Sequence, residues 1–260
     1  MALYGVLGDI HGNREALIAA LERLEVRGVD ALLCVGDLVG YNADPDECVA
    51  LLRHRAAIAI AGNHDLIGAG RLGFERCSNK AMHSLKNTRR RLRLETAQYL
   101  CALPAHHVLE EQVLLTHGGI RDVQQYMTQP YHIVENVAYL RADFPGIKIC
   151  LFGHTHEQRV FEVDGESVNE LNTRRPLTLD PTREYFINPG SVDASRKRAH
   201  KLAECAVFDS EKLTVEFHCV SYDDRFTEEK AAAEGYRIDR WRDRLYSVQR
   251  RIIGTRAFGS

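Results

Sequence analysis

Five short stretches of this chain carry residues suited to holding metal ions, and each directly follows a run of apolar residues. They are Gly8-Asp9-Ile10-His11-Gly12-Asn13, Gly36-Asp37, Gly62-Asn63-His64-Asp65, Thr116-His117-Gly118-Gly119 and Gly153-His154-Thr155-His156. Any one of them alone is ordinary loop punctuation. Together they supply Asp9, His11, Asp37, Asn63, His117, His154 and His156, a set of oxygen and imidazole donors without a thiolate. Such donors suit manganese, iron, nickel or zinc. Seven side chains are more than one octahedral ion holding a reactive water can use. They fit two divalent transition-metal ions sharing one bridging carboxylate.

Residues so far apart meet only if the chain returns repeatedly to one edge. Residues 3–7 read as a strand, followed by a helix that Asn13 caps, that carries Leu17, Ile18, Leu21 and Leu24 at a 3.6 period, and that Gly28 ends. Residues 31–35 form a second strand, Pro45 starts a second helix bearing Cys48, Val49, Leu51 and Leu52, and residues 56–61 form a third strand. Strands alternating with helices imply right-handed crossovers and a parallel sheet. The first three donor-bearing ends then share the sheet edge at which open α/β folds bind ligands.

Further on, Ser78 caps a long helix reaching about Leu103, with Met82, Leu85, Leu92, Tyr99 and Leu103 on one face. Arg89 falls on that face between Leu85 and Leu92, where a charge is unexpected, so it is a candidate phosphate contact. Arg90, Arg91 and Arg93 read as a solvated surface. Strands at 107–109 and 112–115, a helix at 133–140 and a strand at 147–152 lead into the last two donor clusters. After these, residues 159–163, the turn Asp164-Gly165, and residues 185–187 and 205–208 suggest hairpins in an antiparallel sheet packed on the first. Asn188-Pro189-Gly190-Ser191 is a tight turn near the same edge. From about Thr227 the pattern is helical: Ile238, Trp241, Leu245, Val248 and Ile252 form an apolar stripe expected to dock. Arg237, Arg240, Arg242, Arg244, Arg250 and Arg251 occupy the other faces. Residues 1–225 are thus read as one catalytic domain and 226–260 as a helical extension packed on it.

At 260 residues, 45% hydrophobic and 27% charged, the chain can bury a substantial core. A net charge of −2 supplies no overall field drawing it to nucleic acid or an anionic membrane. The seven cysteines are scattered without a CxxC pair, which argues for a reducing, cytoplasmic setting rather than disulfides, and Cys34 and Cys150, inside strand-like runs, read as core fillers. Histidines 54, 83, 106, 107, 132, 200 and 218 lack a comparable setting and are assigned to structure or surface, with His83 on a helix that could border the site.

The order Asp-x-His, Gly-Asp, Gly-Asn-His-Asp, His and Gly-His-x-His resembles that of the calcineurin-like metallophosphoesterase superfamily. The motifs span residues 4–157 and extend to Asn188-Pro189-Gly190-Ser191, and Gly36 to Tyr41 is similar to the compact bacterial stand-alone phosphoesterases. With that resemblance the expected fold is α/β: a four-layer α/β/β/α sandwich of two mixed β-sheets flanked by helices. The resemblance implies that Asp9, His11 and His156 hold one metal, that Asn63, His117 and His154 hold the other, and that Asp37 bridges them. A hydroxide between ions about 4 Å apart would attack phosphorus in line. His64 would be the catalytic acid or transition-state stabiliser, with Asn63 and Arg89 joining it in substrate binding, and Asp65 would orient it or serve the helix start. The expected substrate is a small phosphodiester, nucleotide or phosphomonoester; alternatives are asymmetrical diadenosine polyphosphate hydrolysis and a non-catalytic scaffold. One departure stands out. Relatives that cleave phosphoproteins or diadenosine tetraphosphate symmetrically carry Asp-Arg-Gly after the second motif, whereas this chain has Leu38-Val39-Gly40-Tyr41-Asn42.

Overall fold

The computed structural model describes residues 2–194 and 201–257, with side chains through Val248. The N-terminal half comprises β1 (Leu3–Leu7), α1 (Arg14–Val26), β2 (Ala31–Cys34), α2 (Pro45–His54), β3 (Ile58–Ala59), α3 (Asn63–Gly68), α4 (Asn79–Arg91), α5 (Leu94–Ala102), β4 (His107–Leu109), β5 (Val113–Leu115) and α6 (Pro130–Asp143). The C-terminal half comprises β6 (Ile149–Leu151), β7 (Gln158–Asp164), β8 (Ser167–Leu171), β9 (Leu177–Thr178), β10 (Glu184–Pro189), β11 (Ala203–Asp209), β12 (Thr214–Val220), α7 (Asp224–Ala233) and α8 (Arg240–Ala257).

Alternation along the strands decides the layering, because successive side chains leave a strand on opposite faces. Leu7, Leu32 and Cys34 pack with Leu17, Leu21 and Leu24 of α1 and with Val49 and Leu52 of α2. Tyr4, Val6, Leu33 and Val35 point the other way, onto Leu115, Ile149, Leu151 and Ile187 of a second sheet. The outer face of that sheet, through Leu114, Cys150 and Phe186, meets Ile133, Val137 and Leu140 of α6. Three apolar seams therefore separate four layers, and both sheets are mixed, in the orders β3-β2-β1-β11-β12-β9 and β4-β5-β6-β10-β7-β8. Parallel pairing joins β1, β2 and β3 in one sheet and β5, β6 and β10 in the other. The C-terminal ends of β1, β2, β5 and β6 consequently open on one rim.

The structure departs from the sequence pattern in four places. The third strand shrinks to Ile58–Ala59. The expected helix from 78 to 103 is two helices: Leu92 and Arg93 take extended dihedrals, and the Arg93 N–H leaves the helical ladder to donate to Asp46 Oδ1 at 3.1 Å. The hairpin β11–β12 does not continue the second sheet; β11 pairs antiparallel with β1 and closes onto the first. In α8 the apolar stripe does not dock, since Trp241, Leu245 and Val248 are exposed. That helix is held instead by Asn79, whose amide donates to Asp243 Oδ1 and to Ser247 Oγ, both at 2.9 Å. His200 and the side chains of Arg250, Arg251 and Ile252 lie outside the described residues.

Candidate metal centre

The rim is built from loops in a backbone conformation that L-residues avoid. Asp9, His11, Asp37, His154 and His156 have φ of 51°, 52°, 56°, 67° and 60°, the left-handed region. Each such residue costs about 1–2 kcal/mol and persists only where its surroundings hold it there. Here the loops zip together. Asp9 N donates to Gly36 O at 3.0 Å, Ile10 N and His11 N donate to Asp37 O at 2.8 and 2.9 Å, and Gly12 N donates to Leu38 O at 2.9 Å. Gly153 N donates to His117 O at 2.8 Å, tying the fourth cluster to the fifth. Gly62 is required by proximity, since a Cβ there would lie 2.1 Å from Asp37 Oδ1.

All seven donor side chains expected from the sequence converge and are buried. Asp9, His11 and His156 offer ligand atoms within 4.8 Å of one another, as do Asp37, His117 and His154. His11 Nε2 lies 3.1 Å from His156 Nε2 and 3.7 Å from Asp37 Oδ2, and His156 Nε2 lies 3.2 Å from Asp9 Oδ1. His117 Nε2 lies 3.2 Å from Asp37 Oδ2 and 3.1 Å from Asn63 Oδ1. Asp37 is therefore the carboxylate adjoining both groups. The chemistry of these donors fits a cation. When His117 Nδ1–H donates to Val35 O at 2.7 Å, and His11 Nδ1–H to Val39 O at 3.2 Å, each Nε2 presents a lone pair to carboxylate oxygens. Acceptors facing acceptors in a buried place require a positive charge between them.

The same surroundings favour a proton on His117. Burial by itself would lower the His117 imidazolium, but the Asp37 carboxylate, with Asp9 behind it, outweighs burial and pushes it up to about 9. Burial would likewise raise Asp37, yet the His117, His64 and His11 imidazoles hold it well below the usual carboxylate range. Asp65 goes the opposite way: burial, then the charge of Asp37, pushes it up to about 7.

His64 stands beside the donors at the start of α3. Its N–H donates to Asp37 Oδ1 at 2.8 Å, and its ring lies 4.6 Å from that of His11 and 4.8 Å from that of Tyr41. Asp65 accepts from Gly62 N and Leu38 N, both at 2.9 Å, and from Val39 N at 3.2 Å, so it serves the helix start and clamps the loop after β2. Arg89 is not brought to the rim. Its guanidinium donates to the carbonyls of Ile67 and Leu72 and stacks on Phe74, 4.7 Å from the ring centroid. His83 is likewise remote, with Nε2 2.9 Å from Gly235 O.

A cavity of about 170 Å³ opens on Asn63, His64 and His154. Its walls include Tyr41, Arg76 and Tyr126. Tyr126 stacks on His154 at 4.0 Å, and Arg76 Nη1 is held 2.8 Å from both oxygens of Asp122. Arg76 escapes sequence reasoning, whereas the turn Asn188-Pro189-Gly190-Ser191 stands at the rim as expected and braces it. Asn188 Nδ2 donates to Gly153 O at 2.8 Å and to Thr155 Oγ1 at 3.0 Å, while Ser191 Oγ donates to Asp9 O at 2.9 Å. Asn188 at the end of β10 and Ser191 just beyond it thus fasten the first cluster to the fifth.

Comparison with known proteins agrees with this geometry. The model of the calcineurin-like phosphoesterase family matches residues 3–158. The uncharacterized protein MJ0912 of Methanocaldococcus jannaschii is 29% identical over 245 residues, covering 92% of this chain and 95% of that one. The crystal structure of a metallophosphoesterase from Sphaerobacter thermophilus superposes with a TM-score of 0.74 at 27% identity, over 93% of this chain and 96% of its own. A hypothetical protein of Pyrococcus horikoshii OT3, PH1004, shares the fold with a TM-score of 0.71 at 20% identity, over 94% and 97% of the two chains.

Proposed function

The chain belongs to the calcineurin-like phosphoesterase family and is a metal-dependent phosphoesterase, and from that premise we propose that it hydrolyses a small phosphodiester, nucleotide or phosphomonoester at the rim. The observation that carries this reading is Asp37, whose Oδ2 lies 3.2 Å from His117 Nε2 and 3.7 Å from His11 Nε2, with a separate donor group on each side. Asp9, His11 and His156 would hold one divalent cation, Asn63, His117 and His154 the second, and Asp37 both. The imidazole, carboxylate and amide donors suit manganese, iron, nickel or zinc. When bound, two such cations supply an acidified water for in-line attack at phosphorus and offset the charge that grows on the phosphoryl oxygens.

The remaining work falls to the chain itself. His64, whose backbone N–H donates to Asp37, would give a proton to the departing oxygen. The loop carbonyls of Val35 and Val39 hold the His117 and His11 rings in the tautomer that aims Nε2 inward. Tyr41, Arg76 and Tyr126 frame the opening through which a phosphate ester reaches them. Among the described residues no helix is long and apolar enough to cross a membrane.

The test is a substrate panel. The purified protein is loaded in turn with manganese, iron, nickel and zinc and given bis(p-nitrophenyl) phosphate, p-nitrophenyl phosphate and diadenosine tetraphosphate. Turnover of the first two with metal bound supports the proposal, and release of ATP plus AMP from the third directs it to the asymmetrical diadenosine reaction. Two bound cations with no turnover of any ester would overturn it in favour of a scaffold.

A further inference from the structure

A second cavity, of about 400 Å³, lies between α4 and α8 and shares no lining residue with the one at the rim. Its charged walls are Lys86, Arg89 and Arg90 of α4 and Arg242 of α8, with Phe74 and Tyr246 as the aromatic ones. His83 completes the lining, and no acidic residue contributes to it. Lys86, Arg89 and Arg90 stand at i, i+3 and i+4, so one helix face brings three like charges together, an arrangement that destabilises a helix by itself. The fourth charge comes from another element across the cavity.

Elsewhere in the same basic run the charges are cancelled. Arg91 pairs with Glu234 and Arg93 with Glu47. Among the described residues Lys86, Arg89 and Arg90 have no such carboxylate, and Arg242 has Asp239, the residue just before its helix, at 3.6 Å. The aromatic rings hold the cations in place: Lys86 Nζ lies 4.8 Å from the Tyr246 centroid and 5.8 Å from that of Phe74, the ring on which Arg89 also stacks. With both rings engaged in this way, recognition falls to the charges. Lys86 and Arg90 offer their charges to a concave space of this volume, backed by the charges of Arg242 and of Arg89, whose guanidinium the Ile67 and Leu72 carbonyls hold. Together they match a short chain of phosphates, each able to accept several charge-assisted hydrogen bonds.

We propose that the cavity between α4 and α8 is a second anion site that binds a compact oligophosphate, either free or as the phosphate chain of a nucleotide. An extended nucleic acid fits less well, because the cations face a pocket bounded by two helices rather than a groove, on a chain with a net charge of −2.

The test is a calorimetric titration of the full chain with inorganic tripolyphosphate and, separately, ATP. It is run with a metal chelator present, so that neither the rim nor turnover contributes, at roughly 0.15 M ionic strength. Trp241, the single tryptophan, sits beside Arg242 and gives an independent fluorescence signal. Saturable binding of one equivalent is expected, about tenfold to hundredfold weaker in the Lys86→Gln/Arg90→Gln double variant. Equal affinity for the two probes identifies the phosphate chain alone as the ligand, and tighter binding of ATP identifies a nucleotide. With metal restored, the double variant keeps its ester hydrolysis. Undiminished affinity in that variant, no saturation at this ionic strength, or affinity that climbs with the length of single-stranded RNA would overturn the proposal.

Discussion

The sheet rim and the C-terminal helices both gather charged residues, and they are held by opposite means. At the rim the side chains are buried, the backbone is left-handed at five donor positions, and loop-to-loop backbone hydrogen bonds impose that conformation. Along α7 and the segment that follows it, ordinary backbone is fastened from outside by side chains. Lys230 bridges Glu15 and Asp44, and Arg237 Nη1 donates to Tyr41 O at 2.7 Å while its Nη2 donates to Asn42 Oδ1 at 2.9 Å. The contrast teaches where precision resides. Ligand geometry depends on the over-determined rim, and the surface braces only trim the approach to it.

Substitutions test this contrast by striking the rim first. Replacing Asp37 by Asn is expected to lower kcat/KM on the order of a thousandfold and to release bound metal, read by steady-state kinetics and elemental analysis. His64→Gln is expected to lose about a hundredfold or more in kcat while its metal content stays at the level of the unmodified protein. Equal metal loss in both variants would erase the distinction between donor and proton source.

Acidity offers a subtler probe. The Asp37 carboxylate pushes His117 up to about 9 against the effect of burial, so at neutral pH an incoming cation is expected to displace a proton there. Apparent metal affinity should therefore rise about tenfold per pH unit for each proton released, up to about pH 9, and flatten above it. Calorimetry in buffers of different ionisation enthalpy counts those protons. Affinity independent of pH would remove His117 from the ligand set.

Asp65→Asn puts an amide N–H against one of three N–H groups that now point at a carboxylate, and should cost about 1–3 kcal/mol in chemical denaturation. The smallest effect is expected on the brace. Arg237→Ala should cost about 1 kcal/mol, leave metal content unchanged and act on KM more than on kcat, because the half-buried guanidinium reaches the rim only through the Tyr41 loop.

These differences also explain what the sequence disclosed. The seven donors were legible because rim loops need small residues and donors at fixed offsets after apolar strands, which leaves dense local motifs. A second sheet packed on the first followed from strand patterning, and its mixed, four-layer form from the family resemblance. What stayed hidden depends on contacts between distant segments. No Gly or Pro marks the break at Leu92 and Arg93; Asp46, from α2, captures the Arg93 N–H. Nothing in the alternation of β11 tells whether it extends the second sheet or turns back to β1. Arg89 was placed near the substrate because its apolar neighbours face inward, but Phe74 and the Ile67 carbonyl take up its guanidinium. Arg76 lies in a loop without periodicity, so only the fold brings it to His64.

The donors also come from both sheets: Asp9, His11, Asp37 and Asn63 follow strands of one, His117, His154 and His156 strands of the other. Val6, Leu33, Val35, Leu115 and Leu151 fill the seam between them and act as a gauge block. Because close-packed interiors transmit strain, the thickness of that aliphatic layer sets how far the donors of one sheet stand from those of the other. A shaved methyl deep in the sandwich, far from any phosphate, would then register as altered catalysis.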